Sequence, residues 1–436
     1  MARTRRERRC SRAAGAPSSD RTTQGEIVTD RARVALFLTG LVALALLSQF
    51  FRVVLGAVAP DVMGDLGLST TGYALAVGAF FISLMVAQIP LGIAFDRHGV
   101  RWPVTILTGL AVLGALAQAA ATTPAEMIAA RLLVGLGCAG NFMAAAMLCG
   151  TWFSGERYAG MLARVFALAG LGSLLAGTPL AALAQWLGWR GAFASLAAMA
   201  AVAGVVFFAT VRDHPPGVVP PPRRAESVGQ ALAGIGAILR LPRMPLLMAM
   251  HFAAYASMLT LFGTWAGPYF ADVHGLGPIE RGHAISAMAI AQVAGVAFYG
   301  PLDRLFDTRK WVVVWGGAAT LAAFAVLALV PRPSVWVAAT LMTGLCFVAA
   351  YSVLIVAHGR ATYPPHLAGR GVTTLNIAQV LGSLALPLSS GAVIEAATTG
   401  GVRDDLAYRL GFASIGAVLA VALVCYLFVP DRRPRS

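Results

Sequence analysis

Charge is what this chain has least of. Only 12% of its 436 residues are Asp, Glu, Lys or Arg, while 58% are hydrophobic. A soluble domain carries about 25% charged residues. The balance excludes one large water-soluble core and points to an integral membrane protein. Acid is scarcer than base, 19 residues against 33, for a net charge of +14. The basic excess sits in Arg3 to Arg12 and in short loops, with no aromatic-rich basic face, so no nucleic-acid partner is expected. Cysteine supplies no framework. Cys10, Cys138, Cys149, Cys346 and Cys425 lack paired spacing, and four of the five fall in apolar segments. They read as small packing residues rather than disulfides or metal ligands. No Gly-x-x-x-x-Gly-Lys-Ser loop occurs, so the chain has no ATPase engine of its own. No nucleophile–base or metal-ligand set stands out, so neither an enzyme nor a cofactor is expected. No secretory signal is present either, because the early charges have no apolar stretch beside them.

What the chain does have is apolar runs. A span needs about 20 apolar residues. Twelve segments qualify: 34–58, 72–94, 103–122, 126–148, 161–184, 191–211, 244–271, 283–302, 311–330, 335–357, 370–396 and 409–429. The expected organisation is a disordered basic cytoplasmic tail over 1–33, an N-terminal six-helix bundle over 34–211 and a cytoplasmic linker over 212–243. A C-terminal six-helix bundle over 244–429 and a cytoplasmic tail over 430–436 follow. An over-long start codon assignment is the alternative reading of 1–33. The linker holds Asp213-His-Pro-Pro-Gly and Pro220-Pro-Pro-Arg-Arg224 and reads as extended and solvated. Orientation follows from basic residues. With both termini inside, the inside segments hold roughly 26 of the 33, and the outside loops hold Arg190, Arg281, Arg332, Arg403 and Arg409.

The chain is also built twice over. Gly92-Ile-Ala-Phe-Asp96-Arg97-His-Gly99-Val-Arg101 returns as Gly300-Pro-Leu-Asp303-Arg304-Leu-Phe-Asp307-Thr-Arg309-Lys310. Gly135-Leu136 matches Gly344-Leu345, Ala159-Gly160 matches Ala368-Gly369, and Gly172-Ser173-Leu174 matches Gly382-Ser383-Leu384. A duplicated apolar chain is the signature of a secondary transporter with parallel halves.

Twelve spans, a basic central loop and the Gly-x-x-x-Asp-Arg-x-Gly-x-Arg motif after span two resemble the major facilitator superfamily. In span four, Arg131-Leu-Leu-Val-Gly135-Leu-Gly137 is similar to its Arg-x-x-x-Gly-x-Gly pattern. The resemblance implies an all-α membrane protein of 12 transmembrane helices in two pseudo-symmetric six-helix bundles, working as a monomer. Within the superfamily, the N-terminal half resembles the organophosphate:phosphate antiporter branch. The similar stretches are Phe51-Arg52 with Pro60 eight residues on, and Arg212-Asp213-His-Pro-Pro. In that branch a span-one Arg binds the substrate phosphate, and Arg52 is its match. The branch's second phosphate-binding Arg, in span seven, has no counterpart between His251 and Trp265. Its span-five His is replaced by Leu171-Gly172-Ser173. Other anions, or another solute altogether, then replace phosphate esters as the expected cargo.

Arg52 is the sharpest clue. It lies about 12 Å before Pro60 at helical rise. A charge in hydrocarbon costs at least a few kcal/mol unless it faces a wet cavity or a partner. Either Arg52 binds an anion at the midplane, or it snorkels to a polar neighbour. His251, Tyr255, Tyr351, Asn376 and Gln379 are further candidates for the substrate site, with Asn376 and Gln379 sharing a helix face. Gln88, Asn141 and Gln292 read as interhelical hydrogen-bonders, and Ser173 as a weaker cavity candidate. Asp61 and Arg131 form a candidate pair, either static or coupled to a proton. The loop motif reads as mechanical. Gly92 would allow close helix approach. The resemblance implies that Asp96 caps span eleven and latches one state, with Arg97 and Arg101 tying down neighbours, and that Asp303 and Arg304 mirror this against span five.

These readings converge on a secondary transporter in a bacterial-type inner membrane, moving a small anionic organic solute by alternating access and coupled to an exchanged anion or a proton. The alternatives are export of a drug or siderophore-like compound and, more remotely, a ligand receptor of transporter-like build.

Overall fold

The computed structural model describes residues 31–153, 155–215, 228–363 and 368–434. The basic tail up to residue 30 and the Pro-Arg stretch at 220–224 lie outside the described residues, so the readings placed on them stand untouched.

The described chain is helical, in the order α1 (Arg31–Leu66), α2 (Thr70–His98), α3 (Arg101–Ala120), α4 (Pro124–Cys138), α5 (Asn141–Trp152), α6 (Gly155–Ala169), α7 (Leu171–Leu175), α8 (Thr178–Thr210) and α9 (Val228–Leu239). The second half runs α10 (Met244–Thr260), α11 (Ala266–Asp272), α12 (Pro278–Tyr299), α13 (Leu302–Leu305), α14 (Lys310–Leu329), α15 (Val335–Val348), α16 (Ser352–Thr362), α17 (Ala368–Thr399) and α18 (Asp404–Leu427). Eleven helical stretches are long and apolar enough to cross a bilayer, and Gly160–Leu175 is a shorter apolar helix. Span five continues through that helix into the start of α8. Gly188, at φ 69°, breaks α8 and lets span six turn back. Spans four, seven and ten are each two helices in line. A π-helical turn, Leu261–Trp265, joins α10 to α11, and a 3-10 turn, Ala349–Tyr351, joins α15 to α16.

Helices α1 to α8 pack on one another, as do α10 to α18. The two halves meet through α2 on α17, α8 on α12, and α1 on the π turn and α11. Val34, Val100, Phe153 and Val211 gather at one end of the N-terminal half, and Arg243, Thr362 and Arg432 at the same end of the other. This end is the near face, and the opposite end is the far face. The connection between the halves is not extended throughout. It carries α9, which touches α2, α10 and α17. Composition explains the difference, since Val228–Leu239 has no charge and no proline to oppose a helix once it rests on an apolar surface.

Cysteines 138, 149 and 346 are buried and unbridged, and Cys425 is half-buried and unbridged.

The duplication in sequence is a duplication of contacts. At Gly172 a Cβ would run into the carbonyl oxygen of Leu46 in span one. At Gly382 it would run into that of Phe252 in span seven. The two halves thus bring span five onto span one, and span eleven onto span seven, backbone against backbone. The near-face loops repeat as well. Asp213 accepts from the amides of Val100 and Arg101, both at 2.9 Å, at the start of α3. Asp431 accepts from the amides of Arg309 and Lys310, at 3.2 and 3.1 Å, at the start of α14. Burial raises the Asp431 carboxyl. The Thr308 hydroxyl and these two amides outweigh it and hold the group below its ordinary range. Arg101 Nη2 donates to the Phe208 carbonyl and Lys310 Nζ to the Leu427 carbonyl, both at 2.6 Å.

One repeated pair does not share a role. Gly135 abuts the Phe80 carbonyl, whereas nothing lies within 4 Å of a Cβ at Gly344. Gly382→Ala is therefore expected to destabilise the protein by about 1–3 kcal/mol, the usual cost of overpacking. Gly344→Ala is expected to be neutral. Thermal unfolding of the purified protein in detergent checks this, and equal melting temperatures for the two variants would contradict it.

Candidate functional site

The site is built around Arg52, in the middle of α1. Its side chain is half-buried, lies 5.2 Å from the Phe142 ring centroid in α5, and has a buried Nε with no hydrogen-bond partner among the described residues. A guanidinium over an aromatic face is partly stabilised, but one unsatisfied donor remains. Ser48 sits one turn earlier on the same helix face. It is fully buried, and its hydroxyl faces the Cys138 thiol without a strong hydrogen bond. Asn141, at the break between α4 and α5, donates from Nδ2 to the Leu44 carbonyl at 3.2 Å, and its Oδ1 is buried without a partner. Ser48 was not singled out from sequence. The signal was its i−4 spacing from Arg52.

Across the chain, α10 and α17 carry the other candidates. His251 is buried, interacts with Gln379, and leaves Nδ1 without a partner. Tyr255 lies one turn further along α10 and is half-buried, as are Asn376 and Gln379 on α17. Tyr351 does not join them. It is fully buried against Gly316 of α14, with Tyr299 at 6.4 Å between ring centroids. The two glycines Gly316-Gly317 open a slot that the ring fills, and the buried Tyr351 hydroxyl has no hydrogen-bond partner among the described residues.

The pair expected between Asp61 and Arg131 does not form. Arg131 is fully buried, donates to the carbonyls of Phe51 at 3.0 Å and Ala76 at 3.3 Å, and lies 5.0 Å from the Phe80 ring centroid. It ties α4 to α1 and α2 through backbone acceptors. Asp61 instead meets Arg281 of α12 at 3.4 Å. Sequence neighbourhood pointed to a partner in the same half, whereas the far ends of the two halves are in contact.

That contact is a seal on the far face. Besides Asp61–Arg281, the Thr71 amide donates to Glu395 at 2.6 Å, the Tyr73 hydroxyl to the Thr264 carbonyl at 3.1 Å, and the Thr178 amide to Ser286 at 2.9 Å. A Cβ at Gly267 would run into the Gly56 carbonyl, so α1 and α11 touch backbone to backbone. All of these lie in the far half of their spans. These contacts close the far side between the halves.

The loop-motif residues lie at that near face. Arg97 and Arg304 are exposed. Asp96 lines a cavity of about 190 Å³ with Asp213 and His214. Arg101 is bound to the end of span six, as described. Asp303 is buried and holds Arg309 at 3.2 Å within its own loop, so in this conformation it does not reach span five. Gly92 has nothing within 4 Å of where a Cβ would stand, so no close helix approach exists there in this far-closed conformation.

Comparison with known proteins agrees with this geometry. A family model described as "Major Facilitator Superfamily" matches residues 41–298 and 266–436. The chain is 27% identical over 405 residues to a "Putative tartrate transporter" of Agrobacterium vitis, covering 85% of this chain and 86% of that protein. It is 24% identical over 260 residues to the "Hexuronate transporter" of Bacillus subtilis, covering 59% and 58%. Among solved structures, a bacterial homolog of the human lysosomal transporter Spinster, in an inward-facing and unoccupied conformation, superposes with a TM-score of 0.77. It is 19% identical, covering 91% of this chain and 97% of that one.

The cross-half cap at Thr71 gives a test of the seal. Removing a cap costs about 0.5–2 kcal/mol. Glu395→Ala is expected to raise the far-open population severalfold, read as the distance between spin labels on the far ends of α2 and α17. An unchanged distance distribution would show that Glu395 does not hold the seal.

Proposed function

Because the chain belongs to the Major Facilitator Superfamily and is a multi-pass membrane transporter of a small solute, we propose that its cargo is a small organic oxyanion bound by Arg52. The observation that carries this is the unsatisfied Nε of a half-buried arginine inside span one. A carboxylate is the natural acceptor for such a donor. Asn376, Gln379 and Tyr255 offer amide and hydroxyl groups from the other half, which suits a hydroxylated acid. The names of the relatives, tartrate and hexuronate transporters, support the same class.

Transport proceeds by alternating access about this site. Glu395 of α17 caps the start of α2 when the far side is closed. Asp96, at the other end of α2, caps the start of α17 when the near side closes. Each helix is thus held by the other's carboxylate, at opposite faces and in opposite states. The positive-inside bias supports a cytoplasmic near face with both termini inside, and membership of the superfamily supports a monomer in a bacterial inner membrane. No acid lies at mid-depth in any span: Asp61, Asp272, Glu280 and Glu395 all sit near the far ends. This supports anion exchange over proton coupling.

The test is uptake in proteoliposomes of a panel containing tartrate, glucuronate and simple carboxylates. Arg52→Ala is expected to lower uptake at least a hundredfold, and Arg52→Lys to retain a fraction, because Lys keeps the charge but loses the forked donors. Internal anion is expected to accelerate uptake. Normal transport by Arg52→Ala would overturn the assignment and turn attention to an apolar cargo.

A further inference from the structure

Away from the interface between the halves, the near end of the C-terminal half holds a second cavity. It has a volume of about 170 Å³ and lies between the start of α10, the end of α16 and the chain beyond α18. Two arginines line it, Arg243 and Arg432. Both are exposed, and neither has an ion-pair partner among the described residues. The nearest acid in sequence, Asp431, is engaged by Thr308, Arg309 and Lys310. The cavity falls below the ~300 Å³ at which pockets begin to enclose a whole organic ligand. It has room for a phosphate-sized group, and arginine is the residue type that matches phosphate geometry.

An apolar groove of about 600 Å³ begins two residues along α10, at Pro245. It runs past Met248 and Phe252 and is walled by Leu381 of α17 and Ala417 and Val421 of α18. Its lining is almost wholly apolar, and Val421 is 66% exposed. Basic groups at a membrane surface, with an apolar groove that starts two residues past Arg243 on a neighbouring face of α10, complement one kind of molecule, an anionic head with a hydrocarbon tail. We propose that Arg243 and Arg432 hold the headgroup phosphate of an acidic phospholipid, with one acyl chain in the groove between α10, α17 and α18.

The test uses the full chain in detergent, titrated with dioleoylphosphatidylglycerol, dioleoylphosphatidylcholine or inorganic phosphate. Bound lipid is counted by native mass spectrometry, and melting temperature is followed in parallel. Arg243 has φ 64°, a conformation that Asn adopts more readily than Ala, so the variant is Arg243→Asn combined with Arg432→Gln. Phosphatidylglycerol is expected to bind in preference to phosphatidylcholine and to raise the melting temperature. The double variant is expected to bind it about tenfold more weakly or worse, with its lipid-free melting temperature unchanged. Ala417→Trp, which fills the groove from an exposed position, is expected to weaken lipid binding while leaving both arginines in place. Wild-type affinity in the double variant would overturn the proposal. So would stabilisation by inorganic phosphate equal to that by the lipid, which would make this a soluble-anion site.

Discussion

An arginine inside hydrocarbon needs acceptors, and how each buried arginine finds them organises this molecule. Placing the charge at the centre of a bilayer costs about 3 kcal/mol even on the mildest scale. Arg131 meets most of the requirement within the protein, through two backbone carbonyls and an aromatic face, and keeps one buried Nη2 without a partner among the described residues. It thereby fixes α4 against α1 and α2. Arg52, on the helix that receives Arg131, is left with an aromatic face and an unused donor. Helix α1 therefore carries Arg52 and also supplies the Phe51 carbonyl that receives Arg131 of α4. The two differ in backbone acceptors: Arg131 has two, and Arg52 has none among the described residues.

The second constraint is close helix approach. Glycines at the crossings of spans one and five, seven and eleven, and one and seven bring backbones into contact. The first two crossings lie within the halves and give each a rigid body. The third lies between them and is part of the far seal. The rigid crossings come from the repeated motif. The seal has no repeated counterpart among these glycine contacts, because it belongs to one state of the cycle rather than to the fold.

This division sets what was legible in the sequence. Spans, duplication and the basic loops were readable because hydropathy, spacing and charge are local properties. Gly172 and Gly382 could be matched by register alone, and they do the same job. Partners across the two halves were not readable. Asp61 was assigned to Arg131 because spans one and four are neighbours, yet Arg281 of α12 reaches it from the other half. Glu395 carried no sign that it meets the start of α2, since 324 residues separate it from Thr71. Tyr351 read as a cavity residue because a tyrosine in an apolar span suggests a polar task. The Gly316-Gly317 slot that receives its ring lies on another helix, and only the fold joins them. The helix α9 was missed for a different reason. Its neighbours in sequence are Pro- and Arg-rich, and the apolar surface that holds it is supplied by α2, α10 and α17.

The scarcity of charge noted at the outset bears on the transport cycle as well. To change sides, the carrier passes through a state closed at both faces. On the proposed reading, the loaded carrier enters that state with Arg52 paired with the anion's oxygens. Empty, it must do so with Arg52 as a lone guanidinium in a dry cavity, with no mid-depth acid to neutralise it. The uncompensated charge raises the barrier for the empty carrier by the desolvation cost of that one group, and each 1.4 kcal/mol slows the step tenfold. An anion returning on the carrier removes the penalty. Exchange then needs no dedicated coupling residue, since it follows from one arginine with an unused donor in a span where nothing else can satisfy it.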